Sequence, residues 1–193
     1  MALKIDTQKL NTVSPKDTLT FLSKLRLIVF GKKKPDAFTR IIYYLNLIGC
    51  IIFAAWSAIS YIAISLNNLI LKSKGISVEE IVIKRGEQLG YEPGEVFFNN
   101  FKQFQFIDTV IWGAFFVSLV FLYRKKAVYA LFYFGAIILH FLLMFFMLGM
   151  DYMLSDISGF DKIAYAVILF PTLIYFFLLK REQSPENIEL NEE

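Results

Sequence analysis

The chain has 193 residues, of which 56% are hydrophobic, 21 are Phe and only 19% are charged, with a formal net charge of +3. Ordinary soluble domains carry roughly 25% charged residues, and here the apolar residues fall in long blocks, so composition argues against a soluble domain and predicts an all-α polytopic membrane protein. A single cysteine and a single histidine exclude an intrachain disulfide, an iron–sulfur cluster, a structural zinc site and paired-histidine haem ligation within the chain.

Residues 1–40 read as a cytoplasmic amino-terminal arm. Ser14-Pro15-Lys16-Asp17 has the pattern of a helix start, with Ser at the cap, Pro in the first turn and an acid near the positive end of the dipole. Leu19, Leu22, Leu25 and Val29 then fall on one side, which predicts an amphipathic helix over 17–30 lying in the plane of the membrane. Its basic residues Lys24, Arg26, Lys32, Lys33 and Lys34 are expected to meet anionic lipid at the cytoplasmic leaflet, each worth about 1 kcal/mol. Pro35-Asp36 breaks the chain, and Asp36 is placed to cap the helix that follows.

The membrane domain is expected over 41–180, with spans at about 41–64, 104–123, 127–150 and 163–179 in a four-helix bundle. The first and third are runs without a charge, beyond the roughly 18 residues that mark a spanning helix. The second reaches spanning length if Asp108 lies at the interface, and the fourth is slightly short. Loop 65–103 is the sizeable external region. Within it Ser77-Val78-Glu79-Glu80 fits a capping box and Gly90 a stop, which predicts a short helix over 78–89. Phe97, Phe101 and Phe104 recur at helical spacing, so the second long helix should begin outside the membrane, around Glu95. The turn Arg124-Lys125-Lys126 makes the second and third spans antiparallel neighbours. An acidic cytoplasmic tail closes the chain over 181–193.

Counting Lys and Arg side by side, 14 fall in the arm, the 124–126 turn and the tail, against six on the other side (Lys72, Lys74, Lys84, Arg85, Lys102 and Lys162), which predicts both ends in the cytoplasm. An excess of Lys over Arg, 15 to 5, points to an AT-rich bacterial genome, hence a multi-pass protein of a bacterial cytoplasmic membrane. In the order of its segments alone, the chain resembles the DoxX-like four-helix membrane proteins, without that group's sequence pattern.

His140 lies in the middle of the third span, where an ionisable group is costly and marks a candidate site. It shares a helical stripe with Tyr129, Tyr133, Ala136, Met144, Met147 and Asp151, and the fourth span offers a matching stripe of Asp161, Tyr165, Ile168, Thr172 and Tyr175. If the two faces meet, His140, Tyr133, Tyr165 and Thr172 would line a polar pocket for ligand binding or proton handling. The alternative is that His140 only ties helices together, at about 0.6 to 2 kcal/mol. Asn46, Gly49, Ser57 and Ser60 on the first span form a small-residue face for helix packing. Asp108, Asp151, Asp156 and Asp161 are read as solvated acids at the external end, without the spacing of a metal site. Neither a nucleotide loop nor a hydrolase motif is present, the basic residues are accounted for by topology rather than nucleic acid, and no cofactor is implied.

Three functions remain open. The first is a non-catalytic subunit or assembly factor of a larger bacterial envelope complex, docking through other membrane subunits or as a homo-oligomer. Its alternative is a small transporter or channel built around His140. The third is a membrane enzyme acting on a lipid or quinone, although the residues lean away from an enzyme.

Overall fold

The computed structural model describes residues 34–182, together with 23, 24, 26, 27, 30 and 31. Most of the expected in-plane helix, including Lys32 and Lys33, and the acidic tail beyond 182 therefore lie outside the described residues, while Lys24, Arg26 and Lys34 are described and exposed. Over residues 37–182 six helices follow in order: α1 (Ala37–Ser65), α2 (Asn67–Lys74), α3 (Val78–Gln88), α4 (Gly94–Tyr123), α5 (Tyr129–Ser155) and α6 (Gly159–Glu182). Four of them, α1, α4, α5 and α6, are long and apolar enough to cross a membrane, so the chain reads as a multi-pass membrane protein.

Local chemistry sets the ends of these helices. Asp36 caps α1, its carboxylate accepting from Thr39 N at 2.9 Å and from the Thr39 hydroxyl at 2.7 Å. Burial alone would raise the Asp36 pKa, but hydrogen bonds from Lys125 and from Thr39 outweigh it and hold the carboxyl well below the ordinary range. Ser77 caps α3 by accepting from Glu80 N at 3.1 Å, as its capping-box pattern predicts. At the start of α6, Ser158 and Asp161 bond reciprocally, with Asp161 N donating to the Ser158 hydroxyl at 3.1 Å and Ser158 N donating to the Asp161 carboxylate at 3.2 Å.

The second long helix begins at Gly94, on the far side of Pro93, one residue from where the phenylalanine spacing predicts. It is the central element, packed against α1, α3 and α5. Helix α2 is not foreseen by the sequence. It is joined to α3 by Asn67, which donates to Glu79 at 3.2 Å and accepts from Glu79 N at 3.1 Å. Helix α3 then sits on the start of α4 through Gly86, where an added Cβ would lie 2.5 Å from the Cβ of Phe97.

Helix α5 contains a break. Gly149 has φ 81° and ψ 168°, a backbone region that only glycine enters without strain, so the last turn of α5 is redirected relative to the long part. The buried stripe of α5 follows Tyr129, Tyr133, Ala136, His140 and Met144, then turns to Leu148 instead of Met147, and Asp151 is exposed. On α6 the expected stripe is buried at Tyr165, Ile168, Thr172 and Tyr175, while Asp161 is half-buried.

Helix α6 reaches α1 at Gly49, whose absent side chain makes room for Ile168. It meets α5 through long side chains, with the Tyr129 and Tyr175 rings 5.9 Å apart. The core is rich in aromatic rings: Tyr43, Tyr123 and Phe30 meet edge to face at the end that carries the described termini, and Phe53 stacks on both Trp112 and Tyr165 further along the bundle.

Candidate functional site

The polar side chains buried between α1, α4, α5 and α6 form three tiers. At the level of the described termini, the Thr39 hydroxyl meets the Tyr175 hydroxyl at 3.0 Å. One level further in, Asn46 Nδ2 donates to Thr172 Oγ1 at 2.7 Å and to Ile42 O at 2.8 Å, and its Oδ1 accepts from the Tyr133 hydroxyl at 2.8 Å. Thr172 donates to Ile168 O at 2.8 Å, in the turn before Pro171, and the Tyr133 hydroxyl lies 3.2 Å from the same carbonyl. Every polar atom of Asn46 is thereby engaged, and this tier reads as a closed inter-helix clamp.

The third tier is built around Asp108. The sequence places this acid at the interface, in a solvated acidic region, and the structure corrects that reading: Asp108 is 2% exposed, near the middle of the 30-residue α4. Its Oδ2 accepts from the Ser57 hydroxyl at 2.5 Å and from Trp112 Nε1 at 3.0 Å. Its Oδ1 lies 2.5 Å from His140 Nδ1. The other ring nitrogen of His140, Nε2, lies 2.9 Å from the Tyr165 hydroxyl. An indole N–H only donates, so the carboxylate face at Oδ2 is an acceptor and the exchangeable proton sits between Oδ1 and Nδ1.

Two protonation states fit these distances. With a neutral imidazole, Nδ1–H donates to Asp108 and Nε2 accepts from Tyr165, giving the cluster a net charge of −1. With one more proton the cluster is neutral overall, and Tyr165 turns to accept from Nε2–H. Either way, carboxylate, imidazole and phenol form a continuous line from α4 through α5 to α6, the arrangement by which a carboxylate orients an imidazole for proton transfer.

This line forms the floor of a cavity of about 1000 Å³ between α1, α3, α4, α5 and α6. Phe97, Phe101, Phe104 and Met144 make its apolar wall, and the rim includes Ile52, Trp56 and Ile59, which are exposed on the apolar surface of α1. At the opposite pole Arg85 of α3 grips the Asp156 carboxylate through both Nε and NH2, and the NH1 group donates to Gln88 at 2.8 Å. That carboxylate holds the Arg85 guanidinium above its usual pKa. Of the acids read as solvated, then, only Asp151 is exposed: Asp156 is half-buried beneath Arg85, and Asp161 is half-buried at the cap of α6.

Of the four residues predicted to share one pocket, His140 and Tyr165 meet at the cavity, while Tyr133 and Thr172 belong to the clamp one tier away. Of the expected packing face, Asn46 is in the clamp and Gly49 is against Ile168, but Ser57 bonds Asp108 and half-exposed Ser60 lines the cavity. Sequence reasoning misses Gln105 and Trp112 and names Asp108 only as a solvated acid. Their spacing, three and then four residues, puts them on one face of α4, and a search for polar residues at that period would have found them. Gln105 is 2% exposed and lines the cavity, yet its Oε1 has no hydrogen-bond partner. Among the described residues no group of three or more His, Cys, Asp or Glu side chains could hold a metal ion. No known protein family, curated protein or solved structure matches the chain.

Proposed function

We propose that the chain is a small membrane protein of the transporter or ligand-binding class, which admits an amphipathic molecule to the cavity and exchanges a proton with it through Asp108, His140 and Tyr165. The observation that carries this reading is the Asp108–His140 contact of 2.5 Å on the floor of a cavity whose rim reaches the apolar surface. A buried carboxylate is expensive to keep in a membrane helix, and helices can be tied together far more cheaply by amides and hydroxyls, as the Asn46 tier does. An accessory-subunit role accounts for neither the pair nor the space above it. Proton exchange requires only that one proton move between Nδ1 and Oδ1 or along Nε2 to the Tyr165 hydroxyl.

In this reading the four apolar helices form a bundle with both described termini in the cytoplasm of a bacterium. Exposed Lys24, Arg26 and Lys34 and the Arg124-Lys125-Lys126 turn support that orientation, since they gather at one end and suit an anionic leaflet. The test is a titration of the purified protein in lipid nanodiscs with a solvent extract of the source membranes, read by tryptophan fluorescence, because both tryptophans line the cavity. A saturable change that depends on pH, and is lost in His140→Gln, is the expected result. A response unchanged in His140→Gln would contradict the assignment.

A further inference from the structure

The proton-exchange reading leaves the chemical class of the occupant open, and the lining of the cavity narrows it. We infer that the occupant is a lipophilic ammonium ion carrying at least one N–H, seated between Gln105 and Asp108 among aromatic rings; the inference rests on the cavity being a ligand site.

Three independent features point the same way. Gln105 Oε1 is buried without a donor, and a buried acceptor left unpaired is costly, so an N–H or O–H from the occupant belongs there. Asp108 lies three residues further along the same face of α4 and gives the cluster a charge of −1 whenever His140 is neutral. A buried negative charge is stabilised by a cation that has shed its water, and a neutral alcohol would satisfy Gln105 while leaving that charge uncompensated. The formal charges on the lining agree: three acids, Asp108, Asp156 and Asp161, against one base, Arg85, which Asp156 already occupies. This negative lining belongs to a chain whose overall charge is +3. Finally, the lining is rich in aromatic residues, Phe101, Phe104, Trp112 and Tyr165 among them, and aromatic rings attract a desolvated cation.

The same arrangement couples the cation to a proton. The cluster carries −1 with a neutral imidazole and 0 with one more proton, and a cation favours the first state. A proton and the cation therefore compete for the cluster, and affinity for the cation falls by at most tenfold for each pH unit lowered. The groups facing the pair are Ser57 from α1, Trp112 from α4, Tyr152 from α5, Tyr165 and Asp161 from α6, and the Arg85–Asp156 ion pair where α3 meets the end of α5. Cys50 of α1 is turned away, its thiol donating to Trp112 O.

The experiment uses the full chain with Trp56→Phe, so that Trp112 is the sole reporter, in nanodiscs of zwitterionic phosphatidylcholine. Octylammonium, octyltrimethylammonium and octanol are titrated in turn; an alkylammonium keeps its proton below about pH 9. Octylammonium should bind saturably and at least tenfold more tightly than either of the others, with affinity falling as the pH is lowered. Gln105→Leu should abolish its advantage over octyltrimethylammonium, which has no N–H. Asp108→Asn should abolish its advantage over octanol together with the pH dependence; should that variant not fold, Gln105→Leu and the pH series decide alone. Octanol binding as tightly as octylammonium in the unsubstituted site would overturn the cation assignment and leave the ligand site standing. No saturable response to any of the three would overturn both.

Discussion

Asp108 meets Ser57 and Trp112 at one oxygen and His140 at the other, so each member of the cluster has a distinct expected phenotype. Removing one partner of a buried charged pair leaves the other uncompensated and costs about 3–5 kcal/mol, so His140→Ala should unfold the protein at markedly lower denaturant or temperature. Asn46→Ala, in the clamp, should cost about 1–2 kcal/mol without altering the pH dependence of ligand binding, since its partners Tyr133 and Thr172 do not line the cavity. Thermal unfolding in nanodiscs, paired with the Trp112 titration, separates the two roles. His140 is legible in the sequence because an ionisable group amid 24 uncharged residues stands out. Asp108 is not, because Lys102, Gln103 and Gln105 precede it and give the segment an interfacial look. Only the packing of α1 and α5 on α4 reveals that this polar face is turned inward.

At the scale of helices, two glycines shape the cavity. Gly149 holds a conformation that costs other residues about 1–3 kcal/mol, and a Cβ there would lie 3.0 Å from the Tyr91 hydroxyl. Gly149→Ala should therefore straighten the end of α5, move Tyr152 and Asp156 away from the cavity and weaken ligand binding, seen as a shift in the Trp112 titration. Gly86→Val should lift α3 from α4, because the Phe97 side chain stands where the new side chain would go. A cysteine placed at Ser60 in a Cys50→Ser background should then react faster with a water-soluble maleimide. At the other end, Asp36 joins the α1 cap to Lys125 at 2.7 Å. Its pKa is lower in the folded state than the ordinary value of 3.8, so its contribution is complete above that value and is lost as the pH falls through the lower folded value. Lys125→Ala should make acid unfolding begin at higher pH. The helix ends at Asp36 and Ser77 and the onset of α4 near Glu95 are legible from caps and periodicity. The break at Gly149 is not, since an isolated glycine in an apolar run carries no signal of its φ.

At the scale of the whole molecule, four apolar helices arrange their buried polar residues in three tiers, and the tier at Asp108 borders the cavity of about 1000 Å³. Hydropathy makes the four long helices legible, because the bilayer thickness sets the length of every crossing. The cavity is not legible, because it depends on α1 and α6 touching at Gly49 and Ile168 while α3 covers the wall beyond. With one histidine in the chain, nitrogen-15 labelling of histidine yields the spectrum of a single imidazole. Nuclear magnetic resonance of that ring in nanodiscs tests the Asp108–His140–Tyr165 line most directly. The account predicts a strongly downfield proton on Nδ1, its loss in Asp108→Asn, and a shift of Nε2 in Tyr165→Phe and on addition of octylammonium. An imidazole without a downfield Nδ1 proton, and with a spectrum unchanged by Asp108→Asn, would contradict it.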